Sequence, residues 1–191
     1  MLEKVPASVG RTLDGIRAGM KNIIFFDARF DAVPEGITVT SPAFAKGGPI
    51  PMRYTEDGDR LSPPLAWDHE PTDTAAVVLI IEDADSPTPH PLVHAIAWNL
   101  SAHDRALGEG ALKSAGSKGA AIELGKNSFL CSEYLPPDPP PGHGEHRYVF
   151  QLFALDRALD IDAAPGRTAL LAAMQGHVCS KGLLIGTYQR V

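Results

Sequence analysis

A chain of 191 residues with 44% hydrophobic and 21% charged side chains has the make-up of an ordinary globular protein, long enough for one well-buried domain. Its formal charge of −6, with the basic residues scattered, excludes an electrostatic case for nucleic acid or an acidic membrane surface. Two cysteines, Cys131 and Cys179, are too few for a disulfide scaffold, no run approaches the roughly 20 apolar residues of a bilayer span, and the amino end lacks a signal-like apolar core, so a cytoplasmic location is expected.

In residues 5–24, Val9, Leu13, Ile16, Met20 and Ile23 recur at steps of four and three, which predicts an amphipathic helix. Gly10, Gly15 and Gly19 weaken it by about 1 kcal/mol each, so it needs a surface to lie against. That surface is either its own domain or a second copy, an arm exchanged in a homodimer. We therefore expect a helical extension over residues 1–36 and a domain over 37–191.

From Ile37 onward, short extended pieces separated by turn residues replace the helical pattern. Ile37 to Thr40 reads as a strand, and Arg60 to Trp67, with two prolines, as an extended segment covering a core edge. Ala75 to Ile81 is a continuous apolar run, expected to be a strand buried on both faces, and its period places Asp83 with Val77, Leu79 and Ile81. The next strand, Val93 to Leu100, puts His94 in phase with Ile96, Trp98 and Leu100. Residues 101–145 are rich in glycine and proline, with a short strand-like run at Ala120 to Leu124 and a stiff segment from Pro136 to Gly142. A strand then starts at His146: His146, Tyr148, Phe150, Leu152 and Ala154 share one face, and Arg147, Val149, Gln151, Phe153 and Leu155 the other. Thr168 to Val178 predicts a helix and Leu183 to Tyr188 a last strand. The fold class expected is mainly β: packed antiparallel sheets with peripheral helices near the two ends of the chain.

Two strands thus deliver a histidine each and a third delivers Asp83 and Asp85, beside a proline-rich loop. Such a group suits an anion pocket, in which imidazole nitrogens and loop amides donate to oxyanion oxygens while a carboxylate fixes the far imidazole nitrogen. Asp83 and Asp85 could equally satisfy loop amides. Arg147, on the opposite face, is expected to pair with an acid, and His143 is the likeliest exception among the remaining surface histidines. A zinc site is disfavoured by the lack of HExxH-like spacing, and a hydrolase by the absence of a Gly-x-Ser-x-Gly elbow at Ser86 or Ser132. A binding module without catalytic turnover, cofactor or metal is the expectation.

Asp83-Ala84-Asp85-Ser86-Pro87 with Val93-His94, and Pro139-Pro140-Pro141-Gly142 leading into His146-Arg147-Tyr148-Val149-Phe150, resemble the two signature regions of the phosphatidylethanolamine-binding protein family. Tyr54 to Gly58, Ser62 to Trp67, Gly176-His177-Val178 and Gly186-Thr187-Tyr188 add to the likeness, which is greatest with the bacterial, Raf-kinase-inhibitor-like branch. The resemblance implies a β-sandwich with a small cavity for phosphate, acetate or a phospholipid head group. Carried over by position, it places Asp83, Asp85, His94, His146 and Tyr148 in the cavity, with Pro87 and the loop from Pro137 through Asp138 to Gly142 as its wall. The alternative it implies is an interaction protein, a regulator of kinase signalling with an unidentified protein partner and a vestigial cavity. Three departures stand out: Ala95 follows His94 where the family often has tryptophan, with Trp98 a candidate to fill that space; Pro136 removes a backbone amide from the loop; and Asp138 brings a carboxylate to the mouth.

Overall fold

The computed structural model describes residues 6–13, 15–68, 71, 73–113, 122–161 and 164–190. In chain order the regular elements are α1 (Ala7–Leu13), β1 (Thr38–Thr40), β2 (Leu65–Asp68), β3 (Ala76–Asp83), β4 (Leu92–Ser101), β5 (Ala106–Leu107), β6 (Glu123–Leu124), β7 (His146–Leu155), α2 (Arg167–Met174) and β8 (Val178–Tyr188). The apolar run expected to be a doubly buried strand is β3, and all eight of its residues are buried. It lies at the centre of a five-stranded antiparallel sheet ordered β6-β4-β3-β7-β8, while β1, β2 and β5 form a second, three-stranded sheet. The fold is mainly β, as the strand periodicities require. Of the strand-like run at Ala120 to Leu124, residues 120 and 121 lie outside the described residues and β6 accounts for the end.

Both faces of the large sheet are covered, which is why its strands read as apolar on either parity. Tyr148, Phe150, Leu152 and Ala154 of β7 join Val77, Leu79 and Ile81 of β3 in a core closed by Val39, Leu65 and Trp67 of the small sheet. Val149, Phe153 and Leu155 join Val78 and Ile80 in a second core closed by Leu170, Leu171 and Met174 of α2 and by Ile23, Ile24, Phe25 and Phe30.

Those last four residues correct the expectation of a helix across 5–24. Residues 5 and 14 lie outside the described residues; α1 ends at Leu13, and 20–30 form three single turns of 3-10 helix, Met20–Asn22, Ile24–Phe26 and Ala28–Phe30. The sheet dictates this path. Glu82 Oε2 accepts from the Ile24 amide at 2.8 Å, Gln151 Oε1 accepts from the Phe25 amide at 2.7 Å, and Lys181 Nζ donates to the Phe25 and Phe30 carbonyls at 3.0 Å each. A continuous helix would spend those same backbone groups on itself. At the other end, α2 stops at Met174 and Val178 already belongs to β8, so the last strand begins five residues before the expected Leu183.

The second correction concerns β4. Its pairing with β3 slips twice, between Val77 and Leu79 and between Ile81 and Glu82, and the second slip leaves His94 as the extra residue between Val93 and Ala95. A bulge bends the strand and re-aims the side chain it carries. His94 consequently does not face the core of Ile96 and Trp98; its ring packs edge-on against Tyr148, with centroids 5.1 Å apart. Trp98 lies in the core on the opposite face and does not fill the space beside the site.

Candidate functional site

Asp83 ends β3 directly opposite Tyr148 on β7, so the strand pairing alone sets the aspartate beside the histidine two residues earlier. His146 Nδ1 lies 2.8 Å from Asp83 Oδ2, and Asp83 Oδ1 accepts from the Asp85 amide at 2.8 Å. The His146 ring lies nearly parallel to Tyr148, with centroids 6.4 Å apart. Asp83, His94, His146 and Tyr148 are thus brought together as expected.

His94 is clamped by the loop before β7. Leu135 donates its amide to the His94 carbonyl at 2.8 Å, and its carbonyl oxygen lies 2.6 Å from His94 Nδ1. A carbonyl can only accept, so Nδ1 carries the hydrogen and the neutral ring turns a bare lone pair, Nε2, inward. Burial pushes His94 below the usual histidine range, against the opposing pull of the Asp83 charge and the Leu135 bond. Burial likewise raises the Tyr148 hydroxyl well above its ordinary value, with the Asp83 charge adding to it, so that group stays an O–H donor.

Four buried side-chain polar atoms among the described residues have no hydrogen-bond partner: Trp67 Nε1, Trp98 Nε1, His94 Nε2 and Tyr148 OH. The two indole nitrogens belong to different cores, but the other two sit on rings in contact. An unmet buried polar group costs about 1–3 kcal/mol, so a neighbouring pair is an expense the fold does not need for its own sake.

His143, expected at the surface, is fully buried. Gly142 and Gly144 both take positive φ, 78° and 88°, and the reversal they permit tucks the intervening ring under the sheet end. His143 Nδ1 lies 2.6 Å from His146 Nε2, while its Nε2 faces the carbonyls of Leu13 at 2.8 Å and Ile16 at 3.2 Å. Proton accounting follows directly. His143 Nε2 must donate to those carbonyls, and two lone pairs cannot meet at 2.6 Å, so one hydrogen lies between the rings and another between His146 and Asp83. Both His146 nitrogens are therefore occupied, and this ring orients its neighbours.

Asp85 turns away from the cluster. Arg147 Nε and Nη2 reach its two oxygens at 2.7 Å each, the Arg147 amide donates at 2.9 Å, and Arg17 Nη1 lies 3.3 Å away. Burial pushes the Asp85 carboxyl up, but the Arg147 bonds outweigh it and hold it below the usual range. The pairing of Arg147 with an acid is as expected. Arg17 also donates to the carbonyls of Glu145 at 2.8 Å and His143 at 3.0 Å, fastening the amino-terminal arm over the loop. The arm approaches so closely that a Cβ at Gly10 would strike the Pro141 carbonyl. Asp138 is held by Arg190 Nη1 at 2.6 Å, which offsets the carboxylate expected to repel an anion at the mouth. Pro137 is buried and accepts from the Glu56 amide through its carbonyl at 2.9 Å; Pro87 is half-buried just past the Asp83 turn. Ser86 Oγ is engaged with the Asp83 carbonyl and Thr88 Oγ1. No cluster of three His, Cys, Asp or Glu among the described residues could hold a metal ion. A cavity of about 300 Å³, lined by Arg60, Ser62, Lys113, Tyr134 and Pro136 among others, lies against the loop that clamps His94.

The family model for phosphatidylethanolamine-binding protein matches residues 40–189, a span that contains the whole histidine cluster except the arm. The chain belongs to the phosphatidylethanolamine-binding protein family. A relative from Methanothermobacter thermautotrophicus, described as a UPF0098 protein, is 38% identical over 148 residues, which cover 78% of this chain and 95% of that one. A UPF0098 protein of Chlamydia trachomatis is 36% identical over 157 residues, covering 80% and 98%. Among solved structures, the phosphatidylethanolamine-binding protein homologue CT736 of C. trachomatis is similar at TM-score 0.74 and 35% identity, over 82% of this chain and all but 1% of that one. YbcL of E. coli has the same fold at TM-score 0.75 and 21% identity, with coverage of 82% and 99%. No helix among the described residues is long and apolar enough to cross a membrane.

Proposed function

We propose that this member of the phosphatidylethanolamine-binding family captures a small phosphoryl-containing anion between His94 and Tyr148 and does not turn it over. The observation that carries the reading is the pair of unpartnered, buried polar atoms on touching rings, His94 Nε2 and Tyr148 OH. Its electrostatics are compatible with an anion: Asp83 is engaged by the His146 ring, and Asp138 by the Arg190 guanidinium. Both atoms are shut from solvent, so a ligand reaches them by displacing part of the wall, of which Leu135 is the segment in direct contact with His94.

The test is a titration with inorganic phosphate at pH 6.5, followed by the ring resonances of His94 and Tyr148. Saturable shifts confined to the cluster are expected, and they should vanish in Tyr148→Phe and His94→Asn. An unchanged titration in both variants, or no saturation in the wild-type chain up to tens of millimolar, would overturn the reading.

A further inference from the structure

We propose that the amino-terminal arm, α1 with residues 15–18, is a strap that gates the histidine pocket: laid across the loop before β7 it holds the wall shut, and by lifting it lets the wall open. This rests on the anion-capture reading above for what passes, and adds what has to move. His94 Nε2 and Tyr148 OH are both closed to solvent, so the wall must part before anything reaches them. The loop that closes them off starts at Leu135, bonded to His94, and ends at His143, whose ring meets His146. It therefore spans the pocket from one histidine to the other.

The strap joins that loop to the turn after β3. On the loop side, Arg17 donates to the carbonyls of Glu145 at 2.8 Å and His143 at 3.0 Å, His143 Nε2 donates to the carbonyls of Leu13 at 2.8 Å and Ile16 at 3.2 Å, and Gly10 sits against the Pro141 carbonyl. On the other side, the Ala18 and Gly19 amides donate to the carbonyls of Ser86 at 2.9 Å and Ala84 at 2.7 Å. Arg190 pins the front of the loop at Asp138 and Pro139; over residues 141–145 it offers only its carbonyl, 3.5 Å from the Gly142 amide, and the strap makes the closer bonds.

The strap is built to come away by itself. Val9 and Ile16 are exposed, and of its described residues only Gly10 and Ala18 are buried, so it gives little apolar surface to the core. A helix of seven residues has no stability of its own away from a surface. The segment that follows is different, since it buries Ile23, Ile24, Phe25 and Phe30. Gly19, at φ 93°, stands at the junction, where a change of backbone angles swings the strap without disturbing the 3-10 turns beyond.

The experiment treats the full chain with diethyl pyrocarbonate, which acylates an imidazole lone pair, and follows the reaction at His94 by peptide mass spectrometry near neutral pH, with the exposed His90 and His103 as internal standards. Gly10→Ala favours the α1 helix yet sets a Cβ against the Pro141 carbonyl, so it wedges the strap off the loop; at Gly15 a Cβ meets nothing within 4 Å, which makes Gly15→Ala the control. His94 should react about tenfold faster in Gly10→Ala and in Arg17→Ala than in wild type or Gly15→Ala, while the Ile24 and Phe25 amides keep slow hydrogen exchange. Equal His94 reactivity in all four chains, or loss of Ile24 and Phe25 protection together with a faster reaction, overturns the strap. Inorganic phosphate should slow the His94 reaction in each chain; if it does not, anion capture falls, and the strap is upheld by the phosphate-free rates alone.

Discussion

Glu82 and Asp83 are neighbours on β3 that point to opposite faces of the sheet, and their surroundings treat buried polarity in opposite ways. Glu82, which is wholly buried, is itself fully met: Arg167 Nε and Gln151 Nε2 donate to it at 2.7 and 2.8 Å, with the Ile24 amide completing the set. Around Asp83 the pairing is also tight as far as His146 and His143, but it stops short of His94 Nε2 and Tyr148 OH. One face uses buried charge to pin the amino-terminal segment, whereas the other leaves a donor and an acceptor unspent. The difference separates polar residues that hold the fold from polar groups that the fold leaves unmet.

Breaking the fully paired side should have the largest effect. Glu82→Ala leaves the Gln151 amide and the Ile24 amide without acceptors and strips Arg167 of its carboxylate, leaving it only the Asn22 carbonyl, so a loss of about 3–5 kcal/mol is expected in urea unfolding. Asp85→Asn should cost about 2 kcal/mol at neutral pH, because it weakens charge-assisted bonds to Arg147. That carboxyl ionises more readily in the folded chain than in the unfolded one, so its contribution is present above the ordinary carboxylate range and lost as pH falls through it. The gap between Asp85→Asn and wild type should therefore close in acid unfolding experiments below about pH 4.

Tyr134 and Tyr148 sharpen the comparison, since both are buried tyrosines. Tyr134 OH donates to the Tyr54 carbonyl at 3.0 Å, and Tyr134→Phe should cost about 1 kcal/mol by chemical denaturation. A smaller effect belongs to His94, which is held below its ordinary range by burial. The unfolded chain binds more protons there, so stability tied to this ring is full above about pH 6.5 and declines as pH falls. His94→Asn should flatten that decline between pH 5 and 7, measured as unfolding midpoint against pH.

The strands of the large sheet were legible because a period of two survives whatever packs on it: the two faces read from β7 are the two cores observed. The arm was not. Val9 and Ile16, two of the residues that suggested a helical stripe, are 44% and 51% exposed, and Ile23 is buried in extended backbone between two 3-10 turns. The partners that decide its path, Glu82, Gln151 and Lys181, lie far away in sequence and leave no local signal. His94 was found as a residue but not as an orientation, because a bulge shifts the count by one without altering composition. His143, the foremost exception expected among the surface histidines, is one: Gly142 and Gly144 on either side both take positive φ and permit a reversal sharp enough to bury it, a conformation the sequence alone does not show.

The account turns on Tyr148 carrying a hydroxyl that the folded chain does not use. Its most direct test is the unfolding free energy of Tyr148→Phe measured beside that of Tyr134→Phe, with phosphate titrated into both. Tyr148→Phe should be as stable as wild type or up to about 1 kcal/mol more so, because it removes an unmet polar group, and it should lose phosphate binding that Tyr134→Phe retains. A loss of stability in Tyr148→Phe as large as that in Tyr134→Phe, with phosphate binding unchanged, would contradict it.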